Sequence, residues 1–278
     1  MGRDPADAGP VMRAMKRLEM GWRVFAKVLS FATFGLGSLL MVALVFPVLR
    51  LVPGTREETT DRIQRAIHFS FRFFIWFMHF IRVTEKPRFE GLERLGRSAP
   101  CLIIANHPTL IDVVALIACV PRVDCVVKKE LWNNFFIRGI VSAADYIPND
   151  GGVDIVAEGI RRIRSGRSII FFPEGTRSPM GGLGPFNRGF AQIAVRTGCA
   201  MLPVTIRCDP PTLMKGQDLC EVSSRRPQWV FSFDEPMNVH RFYEPTNSKA
   251  IAARKLSAAV RQYYEKRLSH AESGPGVS

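Results

Sequence analysis

The stretch "CLIIANHPTLIDVVALIACV", Cys101 to Val120, decides how this chain is read. Its first five residues are apolar and stop abruptly at Asn106, His107 and Pro108. A short apolar run bounded this way reads as a strand. Pro108 cannot continue a strand ladder and suits the first turn of a helix, so a helix is expected over 110–120. His107 and Asp112 then flank the bend, five positions apart. Side chains stacked on one helix face are three or four positions apart. These two can meet only across the turn, with His107 at the strand tip and Asp112 in the first helical turn.

Working outward, the same texture recurs. "DCVVK" (124–128), "SIIFF" (168–172), "MLPVTI" (201–206) and "QWVFSF" (228–233) read as strands. "VDIVAEGIRRIRSG" (153–166) and "NRGFAQIAVRTG" (187–198) read as helices, the first with an apolar side and a stop at Gly166. Alternation of this kind predicts an α/β fold, a mixed sheet flanked by helices. In open α/β sheets ligands bind beyond the carboxyl ends of strands.

A second polar motif follows such a strand: "FFPEGTRSPMGG", Phe171 to Gly182. Gly175 allows a tight turn that exposes backbone N–H groups. Arg177 offers a planar fork matched to phosphate oxygens, and Thr176 adds a hydroxyl. Glu174 is suited to orienting an Arg or accepting a substrate hydroxyl. An Asp on one imidazole nitrogen fixes the tautomer and leaves the other nitrogen free for a proton. The bland alternatives are a helix-capping Asp with a backbone-satisfied His, and a surface turn with a solvated Arg.

The N-terminal part is different. Val28 to Leu49 is an uncharged run of 22 residues, long enough to cross a bilayer. It starts late and lacks a small-x-small cleavage site, so it does not read as a signal peptide. Ile67 to Ile81 is shorter, holds Arg72, His68 and His79, and is crowded with aromatics. That composition suits a membrane interface. Lys and Arg are nearly balanced on the two sides of the first run, so charge does not set orientation. Residues 1–10 read as a loose tip, 248–268 as a basic amphipathic helix that packs on the domain or on lipid, and the last residues as a loose tail.

The formal net charge is +13, which points to an anionic partner. Residues 1–100 carry sixteen Lys/Arg against nine Asp/Glu, so the excess is densest beside the long apolar runs and favours a membrane surface. No nucleic-acid module is recognisable. No G-x-G-x-x-G opens a helix after a strand, and no G-x-S-x-G elbow is present. The six cysteines form no C-x-x-C pair and read as reduced and buried, Cys101 inside its strand. The five histidines show no H-E-x-x-H spacing, so no metal site is indicated.

"NHPTLID" with "FPEGTRS" resembles the glycerolipid acyltransferase family, whose best-known members are lysophosphatidic acid acyltransferases. The resemblance covers roughly residues 86–235. It matches the family's H-x-x-x-x-D and F-P-E-G-T-R-S motifs at every key position. "VVKKEL" (126–131), with Lys128, looks like the family's lysine-containing segment, "LPV" (202–204) like its fourth block, and "FNRG" (186–189), with Arg188, like its basic residue before Gly. One departure stands out. The family's second block usually ends in an Arg, where this chain has Asn149 in "YIPND".

The resemblance implies a membrane-bound enzyme that moves an acyl chain from acyl-CoA or acyl-carrier protein to a lysophospholipid hydroxyl. His107 would be the base and Asp112 its orienter. Backbone N–H groups near Gly175 and Thr176 would hold the oxyanion, and Glu174 and Arg177 the acceptor head group. No cofactor is implied beyond the thioester co-substrate. Asn149 leaves open a different lipid acceptor, of a specialised or aryl-polyene type. A non-catalytic protein that binds anionic lipid is the rival from another class. The expected organisation is 1–85 for tip and membrane-associated helices, 86–245 for the catalytic domain and 246–278 for the C-terminal helix and tail. The expected location is the inner membrane, with the catalytic domain facing the cytoplasm.

Overall fold

The structure is a computed structural model that describes residues 10–98, 100–149, 154–218, 221–223, 225–242 and 248–272. The tip at 1–9, the tail at 273–278, Val153 and Cys220 lie outside the described residues.

The chain begins with helix α1 (Pro10–Leu40), which runs through a π-helical stretch (Met41–Val45) into α2 (Phe46–Leu51). Pro47 explains the π turn. It has no N–H to give and its ring crowds the preceding turn, so the Phe46 N–H reaches back to the Met41 carbonyl instead. Helix α3 (Arg56–Phe80) returns alongside α1. A capping box starts it, with Thr55 accepting the Glu58 N–H and the Glu58 carboxylate accepting the Thr55 N–H. The inner face of α3 buries Ile63, Ile67, Phe71, Phe74 and Met78. His68 is buried with Nδ1 against the Ile117 carbonyl, so it is a packed residue.

Seven strands follow: β1 (Arg88–Glu90), β2 (Cys101–Ala105), β3 (Val123–Lys128), β4 (Ile147–Asn149), β5 (Ser168–Phe171), β6 (Ala200–Asp209) and β7 (Gln228–Phe233). Between and after them lie α4 (Glu93–Ser98), α5 (Asp112–Ile117), α6 (Lys129–Trp132), α7 (Arg138–Ala143), α8 (Ile155–Arg164), α9 (Gly189–Thr197) and α10 (Lys249–Glu272). The sheet order is β1-β7-β6-β2-β5-β3-β4, and every neighbouring pair is parallel except β6 with β7. The mixed sheet flanked by helices, preceded by an apolar N-terminal helix, is the expected fold class.

The strand read first, β2, has all five residues buried. Cys101, Ile103 and Ala105 enter the core that holds α3 and α5, while Leu102 and Ile104 enter the core that holds α9 and α10. Both faces are covered, which is why its sequence is continuously apolar and not alternating. The helix expected over 110–120 is shorter, Asp112–Ile117, and Pro108 precedes its first residue instead of sitting in its first turn. Helix α10 packs on the domain through Ala253, Leu256, Val260 and Tyr264. The short strands β1 and β4 and the short helices α4, α6 and α7 were not expected, because pieces this small carry no readable period.

Helix α7 packs against the N-terminal helices. A Cβ on Gly139 would lie 2.5 Å from a Val42 methyl, so only glycine allows that approach.

Candidate active site

The carboxyl ends of the parallel strands β2, β3, β4 and β5 lie along one edge, and a cavity of about 740 Å³ opens there. His107 lines it from the tip of β2, Lys128 from the end of β3 and Asn149 from the end of β4. Gly175, Thr176 and Arg177 line it from the turn after β5, and Arg188 from the start of α9. Its apolar wall includes Val127, Leu131, Ile155, Val156 and Phe171.

His107 and Asp112 meet as the turn requires, with Nδ1 2.9 Å from Asp112 Oδ2. Asp112 is wholly buried, whereas the His107 side chain keeps 15% of its exposure. Phe172 lies against the imidazole at 4.4 Å between ring centroids. Asp112 also accepts the Thr109 N–H at 2.7 Å and faces the Thr109 hydroxyl. Sequence reasoning found His107 and Asp112. It missed Thr109 and Phe172, although both lie within the quoted motifs.

Glu174 corrects an expectation. It does not line the cavity and does not meet Arg177. It is buried, and all its acceptor positions face inward. Oε1 accepts from the Ser178 hydroxyl at 2.7 Å and from the His107 N–H at 3.3 Å, and Oε2 accepts from the Gly184 N–H at 2.7 Å. Ser178 N–H also donates to the His107 carbonyl at 2.7 Å. Glu174 therefore clasps the two motif loops together instead of facing a substrate. A buried carboxylate needs such a full set of donors, because an unpaired one would be strongly destabilising.

Arg177 is also held. Its Nη1 donates to the Leu213 and Met214 carbonyls at 3.1 and 3.0 Å. The rest of its guanidinium has no partner among the described residues and is left for a ligand. The Leu213 carbonyl also accepts the Leu110 N–H at 3.1 Å, so the loop after β6 ties down both motifs. Leu213 reaches this position with φ of 56°, a left-handed conformation unusual for leucine.

Gly175 takes φ of 63°, and its N–H is occupied by the Phe172 carbonyl at 3.0 Å. That removes it as a free oxyanion donor. The Thr176 N–H and hydroxyl have no partner among the described residues. Lys128 and Arg188 likewise have no ion pair or side-chain hydrogen bond among the described residues. Arg138 does not line the cavity but lies over the Phe135 ring. Asp154 and Gln192, which the sequence did not single out, do line it. Asp154 caps α8 by accepting the Val156 and Ala157 N–H groups.

Cys125 and Cys101 are no rivals as nucleophiles. Cys125 lines the cavity, but burial pushes its thiol up to about 12, with the Asp124 charge adding to the effect. Burial likewise pushes Cys101 up to about 11 against a lowering hydrogen bond from Ser168. Neither supplies thiolate near neutrality.

Comparison with known proteins bears on this site. Residues 86–207 match the acyltransferase family model. A chloroplastic 1-acyl-sn-glycerol-3-phosphate acyltransferase of Brassica napus is 31% identical over 170 residues, covering 59% of this chain and 49% of that protein. A 1-acyl-sn-glycerol-3-phosphate acyltransferase of Pseudomonas aeruginosa is 30% identical over 141 residues, covering 48% and 53%. The chain thus spans about half the length of the curated relatives it matches. The crystal structure of the 1-acyl-sn-glycerophosphate acyltransferase of Thermotoga maritima aligns with a TM-score of 0.66 at 20% identity, covering 88% of this chain and 97% of that one. At that identity the likeness is one of fold.

Proposed function

We propose, from the match of residues 86–207 to the acyltransferase family model and from the similarity to 1-acyl-sn-glycerol-3-phosphate acyltransferases, that this chain moves an acyl group from a thioester to a hydroxyl of a lysophospholipid such as 1-acylglycerol-3-phosphate. One observation carries the reading. The His107–Asp112 pair opens on a cavity that gathers uncompensated cations beside an apolar wall.

The steps follow from the residues present. Asp112 holds the His107 Nδ1 proton, so Nε2 is the base. Nε2 takes the proton of the acceptor hydroxyl as its oxygen attacks the thioester carbonyl. The new C–O bond forms a tetrahedral oxyanion, for which the Thr176 N–H is the unoccupied donor. The oxyanion collapses, the C–S bond breaks, and the thiolate leaves with the proton from His107. No acyl-enzyme is needed. The transfer is redox-neutral, so the reading calls on no cofactor besides the acyl-CoA or acyl-carrier protein co-substrate. Arg177, Lys128 and Arg188 are suited to anionic groups of acceptor and donor, and the apolar wall to the acyl chain.

Membrane attachment belongs to the same reading. The helical run Arg17–Leu51 is apolar enough to cross a bilayer, and only 17% of its most apolar window is buried. On α3 the outer face presents Phe69, Phe73, Trp76 and Phe80, each more than half exposed. Apolar surface of this extent is stable against lipid and not against water. We place the chain at the inner membrane with the site facing the cytoplasm, where thioester donors are made. A product with two acyl chains would then pass directly into the leaflet.

A second reading of the acceptor rests on Asn149. It stands in the cavity wall with an uncharged side chain, beside Lys128 in the β3–β4 register. An acceptor other than a phosphomonoester would use the same chemistry. The experiment offers purified protein lysophosphatidic acid and neutral lyso-lipids with acyl-CoA or acyl-carrier protein, and reads products by mass spectrometry. Diacyl product from lysophosphatidic acid supports the first reading. Product only from other acceptors supports the second. No product from any pair, with lipid still bound, leaves the non-catalytic binder.

A further inference from the structure

Trp229 lies on β7, two strands away from β2 and more than a hundred positions from His107, yet it reaches the catalytic turn. Its Nε1–H donates to the Thr109 hydroxyl oxygen at 2.9 Å. Thr109 in turn faces Asp112 Oδ1 through the same hydroxyl. Trp229, Thr109 and Asp112 are all essentially inaccessible to water, at 1%, 0% and 0% exposure. No solvent can substitute for the bonds that join Trp229, Thr109 and Asp112.

Counting donors fixes the direction of that chain. An indole N–H can only donate. The Thr109 oxygen must therefore accept from Trp229, and its single proton is left to point at Asp112 Oδ1. Oδ2 already accepts the Thr109 N–H and faces His107 Nδ1. Every group around the carboxylate then donates to it. For the neutral imidazole only one tautomer is consistent with this: the proton on Nδ1 and the lone pair on Nε2. Without the indole N–H, the hydroxyl is free to turn its proton elsewhere, and the carboxylate loses a defined donor.

We propose that Thr109 and Trp229 are positioning residues that set the tautomer of His107 from behind Asp112. The proposal rests on His107 acting as the base. Neither residue touches the substrate cavity, so their effect should fall on turnover and not on binding.

The test uses the full 278-residue chain in detergent micelles with 15N-labelled histidine. His107→Ala assigns the His107 signals. In the wild type the nitrogen spectrum should show the Nδ1–H tautomer alone. Thr109→Val keeps the shape and removes the hydroxyl. It should lower kcat by about 10- to 100-fold, leave the acceptor KM within about twofold, and give a mixture of tautomers. Thr109→Ser should restore kcat to within about threefold of wild type. Trp229→Phe should give a smaller loss, about 3- to 10-fold, with the same mixed spectrum. A single Nδ1–H tautomer in both Thr109→Val and Trp229→Phe would overturn the proposal, as would unchanged kcat in Thr109→Val or a loss that serine does not restore. If one variant fails to fold, the spectrum of the other decides. Full turnover in His107→Ala would instead sink the base reading, while the spectra still judge the tautomer on their own.

Discussion

Strand β3 begins at one kind of charged site and ends at another. Near its start, Asp124 is fully buried and fully paired. It accepts two bonds from Arg167 at 2.8 and 2.9 Å and one from Gln64 at 3.0 Å, with Arg162 at 3.4 Å. Arg167 continues to Asp61, and Arg162 to Asp145 and Glu158. At its other end, Lys128 opens on the cavity with no partner among the described residues, as does Arg188, and Arg177 is only partly held. The same strand thus carries a closed network and an open one. A closed buried network leaves no charge for a ligand and serves the fold. It ties α3, through Asp61 and Gln64, to the sheet. An open set of cations around a cavity is incomplete until an anion arrives.

The largest effect expected from breaking this contrast lies at the open end. His107→Ala should lower acyl transfer by at least about 10³-fold with unchanged membrane association. Steady-state rates and flotation on vesicles check it, and full activity would sink the mechanism.

Asp124→Ala is the matching change at the closed end. It leaves Arg167 with Asp61 and Gln64, and Arg162 with Asp145 and Glu158, but removes the buried carboxylate the two arginines share, and should destabilise the protein by about 3–5 kcal/mol. Thermal unfolding in micelles reads this directly. A shift worth less than about 1 kcal/mol would mean that the network is not structural.

Arg177→Ala should raise the acceptor KM by about 10-fold and lower kcat less, since Arg177 lines the cavity and part of its guanidinium has no partner among the described residues. The reverse pattern would assign Arg177 to the chemical step. Lys128→Ala and Arg188→Ala should each raise a substrate KM by about 3- to 10-fold, weaken its salt dependence, and leave stability within about 0.5 kcal/mol.

The smallest effect belongs to the rim of the closed network. The Arg161 hydrogen bond, helped by Arg162, holds the Glu158 carboxyl down at about 2 against burial. A value depressed on folding stabilises above the unfolded value of 4.5 and is lost as pH falls toward 2. Part of this pair is solvent-exposed, so Glu158→Gln should cost only about 0.5–1 kcal/mol at neutral pH. The difference from wild type should vanish on acid titration through that window.

Much of the fold was legible because its signals are local. The span of β2 was read as it stands, since an apolar run closed by Pro108 is a property of neighbouring residues. The long strands and helices carried their own periods. The helical span Val28–Leu49 announced itself by lack of charge, although the helix runs further at both ends. The short strand β4 did not, and with it the place of Asn149 in the cavity wall stayed hidden until the sheet was seen.

The site divides in the same way. The sequence by itself determined that His107 and Asp112 flank a turn, and that a glycine turn with Arg177 follows another strand. Only the tertiary structure decided that Glu174 is a clasp between those loops, that Leu213 pins them both, and that Trp229 reaches Thr109. The reason is physical. Turn geometry and helix periodicity depend on residues a few positions apart, so they are written locally. Which side chains meet across the sheet depends on strand order, register and packing of both faces, and these are settled only when the whole chain is folded.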